Sequence, residues 1–183
     1  MHRLFAPSLL ILFSSAAIAA GALRIEHSTA GGADVDKQVS RIVAGILSYA
    51  RWPAPPETYR FCVTAEARYL GDAQNNLSRA LARPVSVRRL AAQDANWAAG
   101  CDVLYIGEGG PPGRRHQLLN EAIGKPVLTI SEGDDECVDP SMFCLAVQGK
   151  EIDLLANLDA ISRSSIRISP KVLQLMRRKQ DAE

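Results

Sequence analysis

Four cysteines, Cys62, Cys101, Cys137 and Cys144, are the side chains best equipped for chemistry in this chain of 183 residues. Thiols serve as nucleophiles, metal ligands or disulfide partners. The sequence has no C-x-x-C pair and its cysteine spacings match no zinc pattern, which disfavours redox catalysis and structural metal binding. An even set instead suits two disulfides, provided the chain leaves the reducing cytosol. The N-terminus meets that condition. Met1-His2-Arg3 is a short positive start, Leu4 to Ala17 is almost wholly apolar apart from Ser8, Ser14 and Ser15, and Ala17-Ile18-Ala19 is a small-x-small cleavage pattern. The run is shorter than the ~20 apolar residues of a membrane span. Residues 1–19 are therefore expected to be a cleaved secretory signal peptide. Four cysteines allow three connectivities. Cys137 and Cys144 are close enough to staple one small loop. Cys62 falls in a predicted strand and Cys101 just before another, and neighbouring strands bring side chains within disulfide reach. Cys62–Cys101 and Cys137–Cys144 are the expected pairs.

Other candidate groups weaken on inspection. Hydrolytic catalysis needs a base, usually histidine. His2 leaves with the leader. His27 lies in residues 20–33, which contain Gly31-Gly32, show no periodicity and are expected to be a flexible mature N-terminus. His116 stands among Arg114, Arg115 and Gln117, a setting that suits a solvated helix face, so no catalytic residue is expected. Gly107-Glu108-Gly109-Gly110 follows a predicted strand, where a phosphate loop would lie. It matches neither nucleotide-binding glycine pattern, and Glu108 would repel phosphate. Glu132, Asp134, Asp135 and Glu136 lack calcium-loop spacing and read as an exposed acidic loop. Asn76-Leu77-Ser78 matches a glycosylation acceptor but falls inside a helical pattern. No cofactor and no metal are expected. Losing Arg3 with the leader leaves 20 basic and 20 acidic residues, a balance that argues against nucleic acid as a partner. With no second long apolar run, direct membrane insertion is not expected either.

The elements that must position the cysteines follow from periodicity. Val35, Val39, Ile42, Val43, Ile46, Leu47 and Ala50 recur at three- and four-residue steps, giving an amphipathic helix that Asp34 can cap and Trp52-Pro53 stops. Tyr59 to Thr64 reads as a strand, Leu70 to Leu81 as a helical face and Pro84 to Leu90 as a second strand. A central strand is expected over Asp102–Gly107, a helix opened by Pro111-Pro112 and closed by Gly124, and a buried strand over Val127–Ser131. This alternation marks a largely parallel sheet covered by helices. Met142–Gln148 and Glu151–Leu155 flank Gly149-Lys150 as a hairpin, Asn157–Ser164 forms a short helix, and Ser169-Pro170 opens the last one. The expected fold is thus a three-layer α/β sandwich, Rossmann-like or flavodoxin-like, with a C-terminal hairpin and helices. It occupies residues 34–183 as one domain. In the C-terminal stretch, Leu155, Leu158, Ile161, Ile166, Ile168, Leu173 and Met176 are interleaved with Arg163, Arg167, Arg177 and Arg178. That mixture suits a protein interface as well as a core.

Several segments together resemble the YfiR family of periplasmic repressors. They are Ile46-Leu47-Ser48-Tyr49-Ala50-Arg51-Trp52-Pro53, Cys101-Asp102-Val103-Leu104-Tyr105-Ile106-Gly107, Ser141-Met142-Phe143-Cys144-Leu145, and Asn157-Leu158-Asp159-Ala160 followed by Ser162-Arg163-Ser164. The resemblance runs from about Val35 to Arg178 and includes all four cysteines in order. It implies a periplasmic, dimeric, non-enzymatic protein with the disulfide pairing given above. Such a protein holds a YfiN-type inner-membrane diguanylate cyclase inactive through its periplasmic domain. A YfiB-type outer-membrane lipoprotein, or loss of the disulfides, releases the cyclase to make cyclic di-GMP and favour biofilm. By position, the resemblance places Ser48, Arg51 and Ala80 at the lipoprotein contact and Phe143, Leu155, Ile161 and Arg163 in a C-terminal contact region. Arg167 falls near a small-ligand pocket. Leu155 and Ala156 depart from the acidic or small residue and the valine usual there.

Overall fold

Apolar residues alternate along the central strands and so build two cores, one on each face of a sheet. The computed structural model describes residues 30–91 and 94–176, with side chains over 34–91 and 94–175. The leader reading, the segment 20–29 with His27, and Arg177 and Arg178 lie outside the described residues.

Helix α1 (Ala30–Tyr49) runs into a two-residue strand β1 (Ala50–Arg51). Then come β2 (Tyr59–Val63), α2 (Ala73–Leu81), β3 (Val85–Arg89), a 3₁₀ turn (Trp97–Gly100), β4 (Val103–Ile106), α3 (Arg114–Ala122) and β5 (Leu128–Glu132). The hairpin β6 (Phe143–Gln148) and β7 (Glu151–Ala156) follows. Helix α4 (Leu158–Ser162), β8 (Arg167–Ile168), a second 3₁₀ turn (Pro170–Val172) and α5 (Leu173–Met176) complete the described chain. Among the described residues, the main sheet has the order β3-β2-β4-β5-β6-β7, parallel except for the β6–β7 pair. The order reverses beside β2, as in flavodoxin-like sheets. This is the expected three-layer α/β sandwich.

Phe61, Val63, Val103, Tyr105, Leu128 and Ile130 point to one face, where Val39, Val43, Ile46 and Leu47 of α1 and Leu77 of α2 cover them. Cys62, Leu104 and Ile106 point to the other and meet Leu118, Leu119 and Ala122 of α3 together with Trp97. Each fully buried side chain of this size contributes roughly 1.5–3 kcal/mol.

Three local features differ from the sequence reading. Helix α1 begins at Ala30, so Asp34 lies inside it and pairs with Lys37 rather than capping its start. Helix α3 begins at Arg114, after Gly113 with φ +78°, so the prolines precede it by a turn. Strands β1 and β8 pair antiparallel, Ala50 with Ile168 and Arg51 with Arg167, a link too short to leave a periodic signature. The hairpin and the Ser169-Pro170 cap match expectation, and Asn157 adds a cap the sequence reading did not name. The Asn157 side chain accepts from Ala160 N, and Ser169 caps the turn that Pro170 opens. Among the described residues no helix is long and apolar enough to cross a membrane.

Candidate partner-binding surface and its disulfide braces

All four cysteines are oxidised in the expected pairs, Cys62–Cys101 with Cα atoms 5.8 Å apart and Cys137–Cys144 with 5.5 Å. The first bond joins β2 to the segment entering its neighbour β4. Arg88 lies opposite Cys62 in the β2–β3 register, and its guanidinium lies 3.7 Å from Cys62 Sγ and 3.6 Å from Cys101 Sγ, while it also ion-pairs with Asp94. The second bond serves a different structure. Parallel neighbours β5 and β6 need a crossover, ordinarily helical. Here residues 133–142 make it without a helix, and Cys137–Cys144 staples it.

That crossover is held by buried charge. The acidic residues expected to be an exposed loop divide instead. Asp135 and Glu136 are exposed, but Asp134 and Glu132 are buried. Asp134 accepts the backbone N–H groups of Val138 and Asp139, both at 3.0 Å. Asp139 pairs with Arg115 of α3 at 2.5 Å, and His116 approaches it to 3.4 Å. Arg115 also donates to the Glu132 carbonyl at 2.8 Å, and Asn157 donates to the carbonyls of Cys137 and Asp139. Two of the motifs quoted above, the one around Cys144 and the one beginning at Asn157, thus meet at this loop. The other two also touch. Trp52 Nε1 donates to the Asp102 carbonyl at 3.2 Å, and the buried Asp102 carboxylate accepts from Arg60 N, Nε and Nη2. A buried carboxylate is tolerated when its oxygens are satisfied in this way. The Asp102 bond and the coulombic pull of its charge hold the Arg60 guanidinium above its ordinary value.

Open parallel sheets usually bind ligands at the carboxyl ends of the strands where the order reverses. Here that point, between β2 and β4, is filled by the protein itself. A Cβ on Gly107 would fall 2.2 Å from Ala67 N, so the 66–67 backbone lies directly over the strand end. Glu132 occupies the position of an anion, accepting from Arg68 N at 3.0 Å and Tyr69 N at 3.2 Å. Beside it, burial first and the Glu132 charge second push the Tyr105 phenol well above its ordinary value. In the Gly107–Gly110 turn, Glu108 pairs with Arg68, 3.0 Å away.

The residues given by resemblance fall in three places. Ser48, Arg51 and Ala80 line a single groove of about 860 Å³ between the C-terminal end of α1, α2 and the 55–59 segment, with Trp52 and Tyr59 in its wall and Arg41 and Arg83 on its rim. Arg51 does structural work there as well, since its Nη1 donates to the carbonyls of Ser48 and Ala50 and so caps α1. Phe143, Leu155, Ile161 and Arg163 cluster around the β6–β7 hairpin and α4, but unequally. Phe143 is 0% exposed and belongs to the first core, so it can affect a partner only through its neighbours. Leu155 lies opposite Cys144, Ile161 is half-buried, and Arg163 is exposed and paired with Asp159. Arg167 stands apart, facing Arg51 across the β1–β8 pair beside a cavity of about 380 Å³ with Trp52, Pro53 and Ser165. Of the apolar residues suggested for an interface, Leu158 and Leu173 are exposed while Ile166 is core.

Sequence reasoning missed Arg88, Asp102, Arg115, Glu132 and Asp134 as organising charges. A single acid at the edge of an apolar strand run, as at Asp102 and Glu132, is the signal that marks such positions. A family model described as YfiR/HmsC-like matches residues 36–177, which takes in both disulfides, the groove and the hairpin, and the chain belongs to that family.

Proposed function

We propose that this protein is a periplasmic repressor that binds the periplasmic domain of a YfiN-type inner-membrane diguanylate cyclase and is withdrawn from it by a YfiB-type outer-membrane lipoprotein. Membership of the YfiR/HmsC-like family, over residues 36–177, is the observation that carries this reading. It supports a non-catalytic, periplasmic regulator of cyclic di-GMP signalling in general. The finer assignment draws on two separate surfaces. The groove around Ser48, Arg51 and Ala80 suits one partner, and the hairpin–α4 surface around Leu155, Ile161 and Arg163 suits another. Separate surfaces allow one partner to recruit the repressor without first displacing the other. The repressor acts as a homodimer, and loss of either disulfide ends repression and raises biofilm formation.

The test is capture of the mature oxidised protein by the isolated periplasmic domain of such a cyclase and, separately, by such a lipoprotein. Ala80→Arg should weaken lipoprotein capture tenfold or more with cyclase capture retained, and Arg163→Glu should do the reverse. If both variants lose both partners equally while remaining folded, the two-surface assignment is wrong. If the wild-type protein captures neither partner, the repressor reading falls.

A second reading, a small-molecule sensor, rests on the cavity where Arg51 faces Arg167. Two guanidinium groups at one cavity suit a carboxylate. A panel of carboxylate metabolites should then raise the thermal midpoint of wild-type protein but not of Arg167→Ala.

A further inference from the structure

We propose that the Cys137–Cys144 pair, once reduced, becomes a zinc site completed by Asp134. The three donor atoms already lie within 4.8 Å of one another, and all three residues are buried. One edge of the site is nearly at final length. Cys144 Sγ lies 3.5 Å from Asp134 Oδ2, a contact that cannot be a hydrogen bond because a disulfide sulfur has no proton. A tetrahedral zinc with Zn–S near 2.3 Å and Zn–O near 2.1 Å separates these atoms by about 3.6 Å. The two sulfurs must part to about 3.8 Å, a movement within the reach of side-chain rotation.

The carboxylate is held in place in advance. Oδ1 accepts from Val138 N and Oδ2 from Asp139 N, each at 3.0 Å, and a carboxylate oxygen keeps a further lone pair for a metal. Water takes the fourth position. The loop that carries the site is at the surface, with Val138 74% exposed and the neighbouring Asp135 and Glu136 side chains exposed, offering charge that attracts a cation. The other disulfide is unsuited. Arg88 stands over both of its sulfurs and would repel a metal ion.

The chemistry balances in two steps. A dithiol reductant transfers two electrons and two protons, so the Cys137–Cys144 S–S bond breaks, two thiols form and the reductant becomes a disulfide. Zinc then forms two Zn–S bonds and one Zn–O bond, and both thiol protons pass to solvent. The metal closes again the loop that reduction had opened, so the helix-free crossover stays ordered under reducing conditions wherever zinc is present.

The experiment uses the mature chain, Zn2+ alone as probe and a phosphine as reductant, so that no added thiol competes. Reduced protein should retain one zinc per chain through gel filtration, and oxidised protein none. Cobalt(II) in place of zinc should give thiolate charge-transfer bands. The same uptake is expected in the Cys62→Ser/Cys101→Ser variant, and Asp134→Asn should weaken affinity tenfold or more. The proposal is overturned by equal uptake in the oxidised protein, or by no uptake in the Cys62→Ser/Cys101→Ser variant once two free thiols are counted. It is equally overturned by unchanged affinity in Asp134→Asn. An unfolded chain gripping zinc through its thiols alone would give that last result, so unfolding on reduction also counts against the proposal.

Discussion

The two disulfides brace regions that need bracing for opposite reasons. Cys62–Cys101 spans 39 residues and lies inside the second core, where ladder bonds and the packing of α3 already fix both strands. Cys137–Cys144 spans 7 residues and closes a crossover that has no helix to order it. In the chain-entropy view the long loop matters more, since it removes more freedom from the unfolded state. In the native state the short loop matters more, because little else there is regular. Their electrostatic settings are opposed too, an arginine over one pair and a carboxylate beside the other. A disulfide's value therefore depends on what it replaces as well as on the loop it closes.

Removing the long-range bond should have the largest effect. Cys62→Ala/Cys101→Ala is expected to lose about 4 kcal/mol, a fall of roughly 8–16 °C in thermal midpoint for a domain of this size. Cys137→Ala/Cys144→Ala should lose about 2.5 kcal/mol by the same reasoning. Chemical denaturation of both variants checks the order. A reversal, with the short-loop variant the less stable, would show that native-state order in the 133–142 crossover outweighs unfolded-state entropy. Hydrogen exchange separates the two cases further, because only the short-loop variant should lose protection in residues 133–142 with the rest of the sheet retained.

Much of this comparison could be read from the sequence, because it rests on local patterns. Cys62 and Cys101 were placed by apolar runs at Tyr59–Thr64 and Asp102–Gly107, and β2 and β4 do pair in parallel. The proximity of Cys137 to Cys144 spoke for itself. What could not be read depends on partners far along the chain. Glu132 looked like a surface acid because its partners, the backbone N–H groups of Arg68 and Tyr69, lie more than 60 residues away. Asp134 looked exposed because its role is to tie a turn whose shape no periodicity announces. The groove was invisible for a similar reason. Ser48 and Ala80 stand on separate helices, and only the packing of α1 on α2 brings them to one wall. Phe143 shows the limit from the other side, since Met142–Gln148 is apolar enough to be core and a family position alone does not reveal burial.

Charge sharpens the comparison on a smaller scale. Reduction produces thiols whose ionised form is favoured beside Arg88 and disfavoured beside Asp134. Arg88→Gln should slow reduction of Cys62–Cys101 roughly two- to threefold, since a less stable thiolate is a poorer leaving group. Asp134→Asn should speed reduction of Cys137–Cys144 by a similar factor. Mass spectrometry of alkylated peptides over a time course with a dithiol resolves the two bonds. If both variants change both rates alike, global opening controls reduction, and the local charges have no separate influence.

The smallest effect concerns acid. Beside the long-range bond, Trp97 Nε1 donates to the Glu121 carboxylate at 2.5 Å, and this bond holds the Glu121 carboxyl below its usual range. Burial opposes the shift, while Gln117, Arg114 and Lys125 add to it. The folded state thus binds this proton less readily than the unfolded chain. Its contribution to stability is complete above the ordinary glutamate value and disappears as pH falls through the lowered one. Glu121→Gln should leave a weaker, neutral bond to Trp97, lower stability slightly at neutral pH and flatten the acid limb of the stability curve. Residues 133–142, which carry the other brace and make no bond to Trp97 or Glu121 among those described, should keep the same exchange protection in this variant. A loss of protection there as well would mean that the two braces report on one cooperative unit and that their separation is a matter of covalent geometry alone.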